Sequence, residues 1–153
     1  MTPQERLERA THEAGHVVAA VAQGIPVGRV SIRGGRSNHG VVEIADDEGS
    51  LEARAIVRLA GREALLLAGL PVRGCGQDTR EARALAVEQA GETNADLVLA
   101  EWRARTRVLL FDRDRWREHG AVALALLERE TVTGSELPSI RWRAAQRRTA
   151  SPA

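Results

Sequence analysis

Lysine is missing from this chain of 153 residues: all 22 basic side chains are arginine. A Walker A phosphate loop requires a lysine, so the chain contains none, and any ATP-driven step is expected to come from another polypeptide. Cysteine is nearly missing too. Cys75 stands alone, which excludes disulfide scaffolds and all-cysteine zinc knuckles. Long apolar runs are also lacking. The segment Val17-Val18-Ala19-Ala20-Val21-Ala22 is short and alanine-rich, far from the roughly 20 residues that cross a bilayer. The N-terminal Met1-Thr2-Pro3-Gln4-Glu5-Arg6 is charged and lacks the apolar centre of a signal peptide, so a cytoplasmic, soluble protein is expected. The net charge of +1 gives no basis for nucleic-acid binding by the whole chain.

What is there suffices for one domain with a real core, since 43% of the residues are hydrophobic. Leu7, Ala10, Ala14, Val17, Val18 and Val21 recur at helical spacing and predict a helix over about 2–23, ended by Gly24 and Pro26. Residues 27–33 alternate apolar and polar, and Val41-Val42-Glu43-Ile44 reads as the returning strand beyond a turn-forming cluster at 34–40. Helical spacing resumes over 50–68, again from Asp78 to about Ala90, and from about Asn94 to Glu130, as one helix or as two joined near Asp112. A short turn is expected between Val132 and Ile140. The basic stretch 141–153 reads as a disordered tail behind a domain of residues 1–140. The expected fold class is mainly α, with a small antiparallel β-ribbon (α+β).

The first helix carries His12-Glu13-Ala14-Gly15-His16. Two histidines four apart share one helical face about 6 Å apart along the axis, so both imidazoles can reach one metal ion. The intervening glutamate stands beside them as a base for water. Catalytic zinc sites usually carry three protein ligands. The candidates for the third are Glu43, Asp46, Glu63, Asp78, Glu81, His39 and His119. Composition does not choose among them, but local context favours Asp78, which follows the glycine-rich Gly74-Cys75-Gly76 and opens a helix. The same position suits an N-cap completed by Glu81.

Four segments carry a resemblance. Arg9-Ala10-Thr11-His12-Glu13-Ala14-Gly15-His16-Val17-Val18 resembles the opening of the peptidase domain of FtsH-type AAA zinc proteases. Leu59-Ala60-Gly61-Arg62 is similar to that family's Leu-Ala-Gly-Arg helix. Gly74-Cys75-Gly76-Gln77-Asp78, with Arg83-Ala84-Leu85-Ala86 after it, resembles its Thr-Gly-Ala-Ser-Asn-Asp segment. The run from Leu126 to Leu137 resembles its C-terminal Leu-Leu-x-x-Glu-Thr-Leu pattern. The likeness reaches to about Ile140. It implies zinc ligands His12, His16 and Asp78, a catalytic base at Glu13, and a β-ribbon beside the metal. Two departures stand out: Leu65 occupies the place of a family glutamate, and the ATPase module and membrane anchor are missing.

The expected function is therefore that of a zinc metalloendopeptidase acting on flexible or unfolded polypeptides. A separate AAA ATPase could supply the unfolding of compact substrates, which the sequence neither requires nor excludes. Two alternatives stand beside it: a non-catalytic module for binding or oligomerisation, and a regulatory peptidase. Backbone pairing of an extended substrate on the strand at 27–33 places Val30, Ser31 and Ile32 in substrate binding. That strand reads equally well as a purely structural hairpin. Stripes such as Leu97, Leu109, Leu110, Val122 and Leu126 could pack between the subunits of a homo-oligomer or equally bury themselves within one subunit. Cys75 reads as a small filler, His39 as a solvated turn residue, and Trp102, Trp116 and Trp142 as core or interface residues.

Overall fold

The first helix, α1 (Pro3–Ala22), starts where its sequence provides for it. Thr2 Oγ1 accepts from the Glu5 amide at 3.2 Å and the Glu5 carboxylate accepts from the Thr2 amide at 2.6 Å. Two of the helix's orphan donors are thereby satisfied, with Pro3 at the first position, where no N–H is needed. The computed structural model describes residues 1–33, 40–45 and 47–149. Within them α1 is followed by β1 (Val27–Ser31), β2 (Val41–Ile44), α2 (Leu51–Leu67), α3 (Gly76–Ala90), α4 (Ala95–Phe111) and α5 (Arg113–Arg129). Strand β3 (Thr131–Thr133), one 3-10 turn and α6 (Leu137–Thr149) complete the chain. The fold is mainly helical, with a three-stranded antiparallel sheet.

Helix α1 lies at the centre, packed on α2 on one side and on α5 and the sheet on the other. Its closeness to α2 depends on Gly15. A Cβ there would stand 2.6 Å from the Ala60 carbonyl oxygen and 2.8 Å from the Ala64 Cβ. Small residues on both helices let the backbones approach, and that approach sets where the segment His12–His16 meets α2. One apolar cluster joins α1 to the sheet and to α5 and α6 through Val17, Val30, Ile32, Val122, Leu126 and Ile140. A second joins α1, α2 and α4 through Val18, Ile56, Val57 and Leu110. A third holds α3 onto α2 and α4 through Leu59, Ala82, Ala86, Leu99 and Trp102.

Two expectations are corrected here, and one left open is decided. The sheet order is β2-β1-β3, so the strand expected to present an open edge is the middle one. Val30 pairs with Val42 on one side and Val132 on the other. Residues 141–149 are not a disordered tail: they continue α6, which buries Ile140 and Ala144. Finally, Leu109, Leu110, Val122 and Leu126 are buried within the chain, and only Leu97 of that stripe is exposed. No helix among the described residues is long and apolar enough to cross a membrane.

Candidate metal centre

His12 and His16 lie one turn apart on the face of α1 that meets α2, and Asp78 enters from the first turn of α3. Their ligand atoms converge. His12 Nε2 and His16 Nε2 are 2.9 Å apart, and Asp78 Oδ2 is 3.2 Å from the first and 3.5 Å from the second. Ligand atoms around a tetrahedral zinc ion, with bonds of about 2.0–2.1 Å, stand about 3.3 Å from one another. The triangle is of that size. His12, Glu13 and His16 also offer ligand atoms that all lie within 4.8 Å of one another, so this group can hold a metal ion.

The ring orientations fit the same purpose. His16 Nδ1 donates to the Val57 carbonyl at 2.7 Å, which leaves the Nε2 lone pair directed at the centre. His12 Nδ1 has a softer neighbour, the Cys75 thiol at 3.6 Å, and Cys75 Sγ in turn donates to the Arg73 carbonyl at 3.3 Å. Cys75 is buried just ahead of α3, so one residue touches the first ligand and precedes the helix bearing the third. It fills space, as its size suggests, and also braces His12.

Two glycines make room that no side chain could share. A Cβ on Gly61 would lie 2.5 Å from His12 Cε1 and 2.6 Å from His16 Nε2. One on Gly40 would lie 2.1 Å from a Glu13 carboxylate oxygen. Thus α2 backs the two imidazoles, and the residue that leads into β2 lies against Glu13. Sequence reasoning marked Gly61 only as part of a family segment and did not identify Gly40, Val57 or the contact made by Cys75. Nothing in the spacing of those residues reveals a contact between separate elements.

The electrostatics are those of a buried, coupled group. Burial pulls the His12 and His16 imidazoles down, but Asp78 and Glu13 outweigh it and hold both above their ordinary value. Burial alone would raise the Asp78 carboxyl, yet its bonds to the two imidazoles hold it far below the usual carboxylate range. Glu13 moves the other way. Its burial raises it, against the pull of His16 and His12. A carboxylate held above its ordinary value is better matched to taking up a proton near neutrality.

The other ligand candidates are engaged elsewhere. Glu63 is fully buried and paired with Arg107 at 2.6 Å and Arg62 at 2.7 Å. Glu43 pairs with Arg29, and Glu81 with Arg58. His119 donates through Nε2 to the Thr11 carbonyl at 2.9 Å and stacks on Trp116. Its burial favours the neutral ring. His39 and Asp46 lie outside the described residues. Trp102 is a core residue and Trp142 is exposed.

The centre opens into a groove of about 790 Å³, bordered by Val41, Val42 and Ile44 of β2 and by the loop that ends in α3. The outer edge of β2 has no strand partner among the described residues. The residues expected to receive substrate do not reach this groove. Val30 and Ile32 are fully buried, and the Ser31 hydroxyl is bonded to the Glu130 carbonyl at 3.2 Å and near the Thr131 hydroxyl at 3.1 Å. Leu65, also buried, lines the groove where the resemblance implies a glutamate. No model of a known protein family matches this chain and no curated protein matches it.

Proposed function

We propose that this protein is a zinc-dependent endopeptidase that cuts extended, already unfolded polypeptide, as its resemblance to the peptidase domain of FtsH-type AAA zinc proteases implies. The convergence of His12 Nε2, His16 Nε2 and Asp78 Oδ2 beside Glu13, at the base of a groove with a strand edge, carries this reading. A zinc ion held by His12, His16 and Asp78 would supply a Lewis acid that lowers the pKa of a water and polarises a carbonyl.

The chain's own residues supply the rest. Glu13 takes the proton from the attacking water and passes it to the leaving amine; its burial keeps that carboxylate away from competing solvent. Asp78 balances charge and fixes the third corner of the triangle. The outer edge of β2 offers backbone groups to an extended chain, which aligns many sequences with little demand on their side chains. This replaces β1 as the strand on which substrate adds. A folded substrate presents no such free strand, so unfolding falls to another protein, an AAA ATPase being the partner proposed. With no lysine and hence no Walker A loop in this chain, ATP alone should leave its activity unchanged.

The test pairs metal analysis with casein cleavage by the wild type and by Glu13→Gln. The wild type is expected to bind about one zinc per chain and to cut casein. The variant should keep the metal and lose cleavage by a factor of about 10²–10⁴. Undiminished cleavage by Glu13→Gln removes Glu13 as the base, and a wild type that binds no metal removes the whole reading.

A further inference from the structure

Arg73 and Arg80 of the groove and Arg54 of the pocket beside it have no ion-pair partner among the described residues. Arg73 and Arg80 are exposed, precede and follow Asp78 in the chain, and line the groove itself. A second pocket, of about 290 Å³, adjoins the groove and shares Ile44 and Arg58 with it. Its lining is apolar at Ile25, Val57 and Leu85, and Arg54 reaches it with a buried Nε that has no hydrogen-bond partner. Arg58 is engaged by Glu81 at 3.0 Å. Glu88, the other acid of the pocket, is exposed and makes no ion pair with Arg54.

A guanidinium with no counter-charge at the wall of an apolar pocket favours an anionic group seated there. The pocket is of a size for one side chain, apolar along its body and met by a cation. A glutamate fits that description: two methylenes against Val57 and Leu85, and a carboxylate for Arg54. We propose that the groove and its side pocket recognise acidic stretches of polypeptide, with one glutamate seated at Arg54 and flanking acidic residues drawn to Arg73 and Arg80. This rests on the peptidase reading and adds the class of substrate to it.

The test measures binding apart from hydrolysis. Fluorescence anisotropy of the zinc-loaded Glu13→Gln protein is recorded with two labelled peptides, one glutamate-rich and one with every glutamate replaced by glutamine. The glutamate peptide should bind about fivefold more tightly for each carboxylate engaged, the scale of one ion pair, and the advantage should shrink as salt is added. Adding Arg54→Gln, or Arg73→Gln with Arg80→Gln, should lower the preference. Equal binding of the two peptides, binding of neither, or a preference unchanged by the arginine substitutions overturns the proposal. The comparison of peptides needs no arginine variant to fold. A protein that prefers the acidic peptide while its wild-type form cuts nothing refutes the peptidase reading alone.

Discussion

Gly61 of α2 occupies the space against which the His12 ring is set, so that a single added methyl would lie 2.5 Å from His12 Cε1 and 2.6 Å from its Nδ1. The same methyl would press on His16 Nε2. The closeness of two backbones, set by Gly15 and Gly61 together, thus decides where both imidazoles stand.

Gly61→Ala should therefore displace both imidazoles. A displacement of about an ångström at such a position typically lowers metal affinity 10- to 100-fold, with about 1–3 kcal/mol of overpacking added to the cost of folding. Zinc titration against a competing chelator measures the first, and urea denaturation of the metal-free protein measures the second. Unchanged affinity would mean that α2 does not brace the ligands.

The coupling of Asp78 to the two imidazoles predicts how the stability of the metal-free protein depends on pH. The imidazole pKa values are raised, so their contribution is full below the unfolded histidine value of about 6.5 and is lost as pH rises through the folded value. The Asp78 value is depressed, so its contribution is full above about 3.9 and is lost as pH falls through the folded value. The pairing is thus strongest between about pH 4 and 6.5. Asp78→Asn should flatten that plateau in a thermal-denaturation series without metal and should also reduce bound zinc. An unaltered profile would place Asp78 outside the group. Because protons compete for raised imidazoles, zinc should also begin to leave at a higher pH than ordinary histidines would require.

Glu63 and Arg107 form a buried-to-surface ion pair that fastens α2 to α4 behind the metal centre. Arg107→Met leaves the fully buried Glu63 carboxylate with Arg62 alone. Breaking such a pair from one side costs about 3 kcal/mol, the lower end for buried pairs, because one partner survives. Chemical denaturation should show that loss, with metal content unchanged in the protein that remains folded. A loss of zinc without a loss of stability would point to Glu63 acting on the centre instead.

Much of the local structure could be read directly. The Thr2–Glu5 capping box, the apolar stripe of α1 and the break at Asp112 follow from short-range rules, because each involves residues within one or two turns. Asp112 begins α5 by accepting from the Asp114 and Arg115 amides, which is why the long helical pattern divides there. The stretch 141–149 misled in the opposite direction. Its arginines resemble a solvated tail, but Ile140 and Ala144 are buried where α6 folds back onto α5, and that packing decides the matter. The strand at 27–31 was legible as a strand but not as a central one. Its second neighbour, β3, is about a hundred residues away and only three residues long.

His12 and His16 share a face, with Glu13 beside them, because the α-helix repeats every 3.6 residues, and that part of the centre was fixed before any folding of the rest. The place of Asp78 beside them was not. It depends on α3 docking onto α2, on glycines that admit the close approach, and on a groove wall made by β2 rather than β1. Periodicity is a property of neighbouring residues, whereas the meeting of distant segments is settled by which surfaces can be buried together. For that reason the motif belongs to the sequence, and the third corner of the triangle and the strand that borders the groove belong to the tertiary structure.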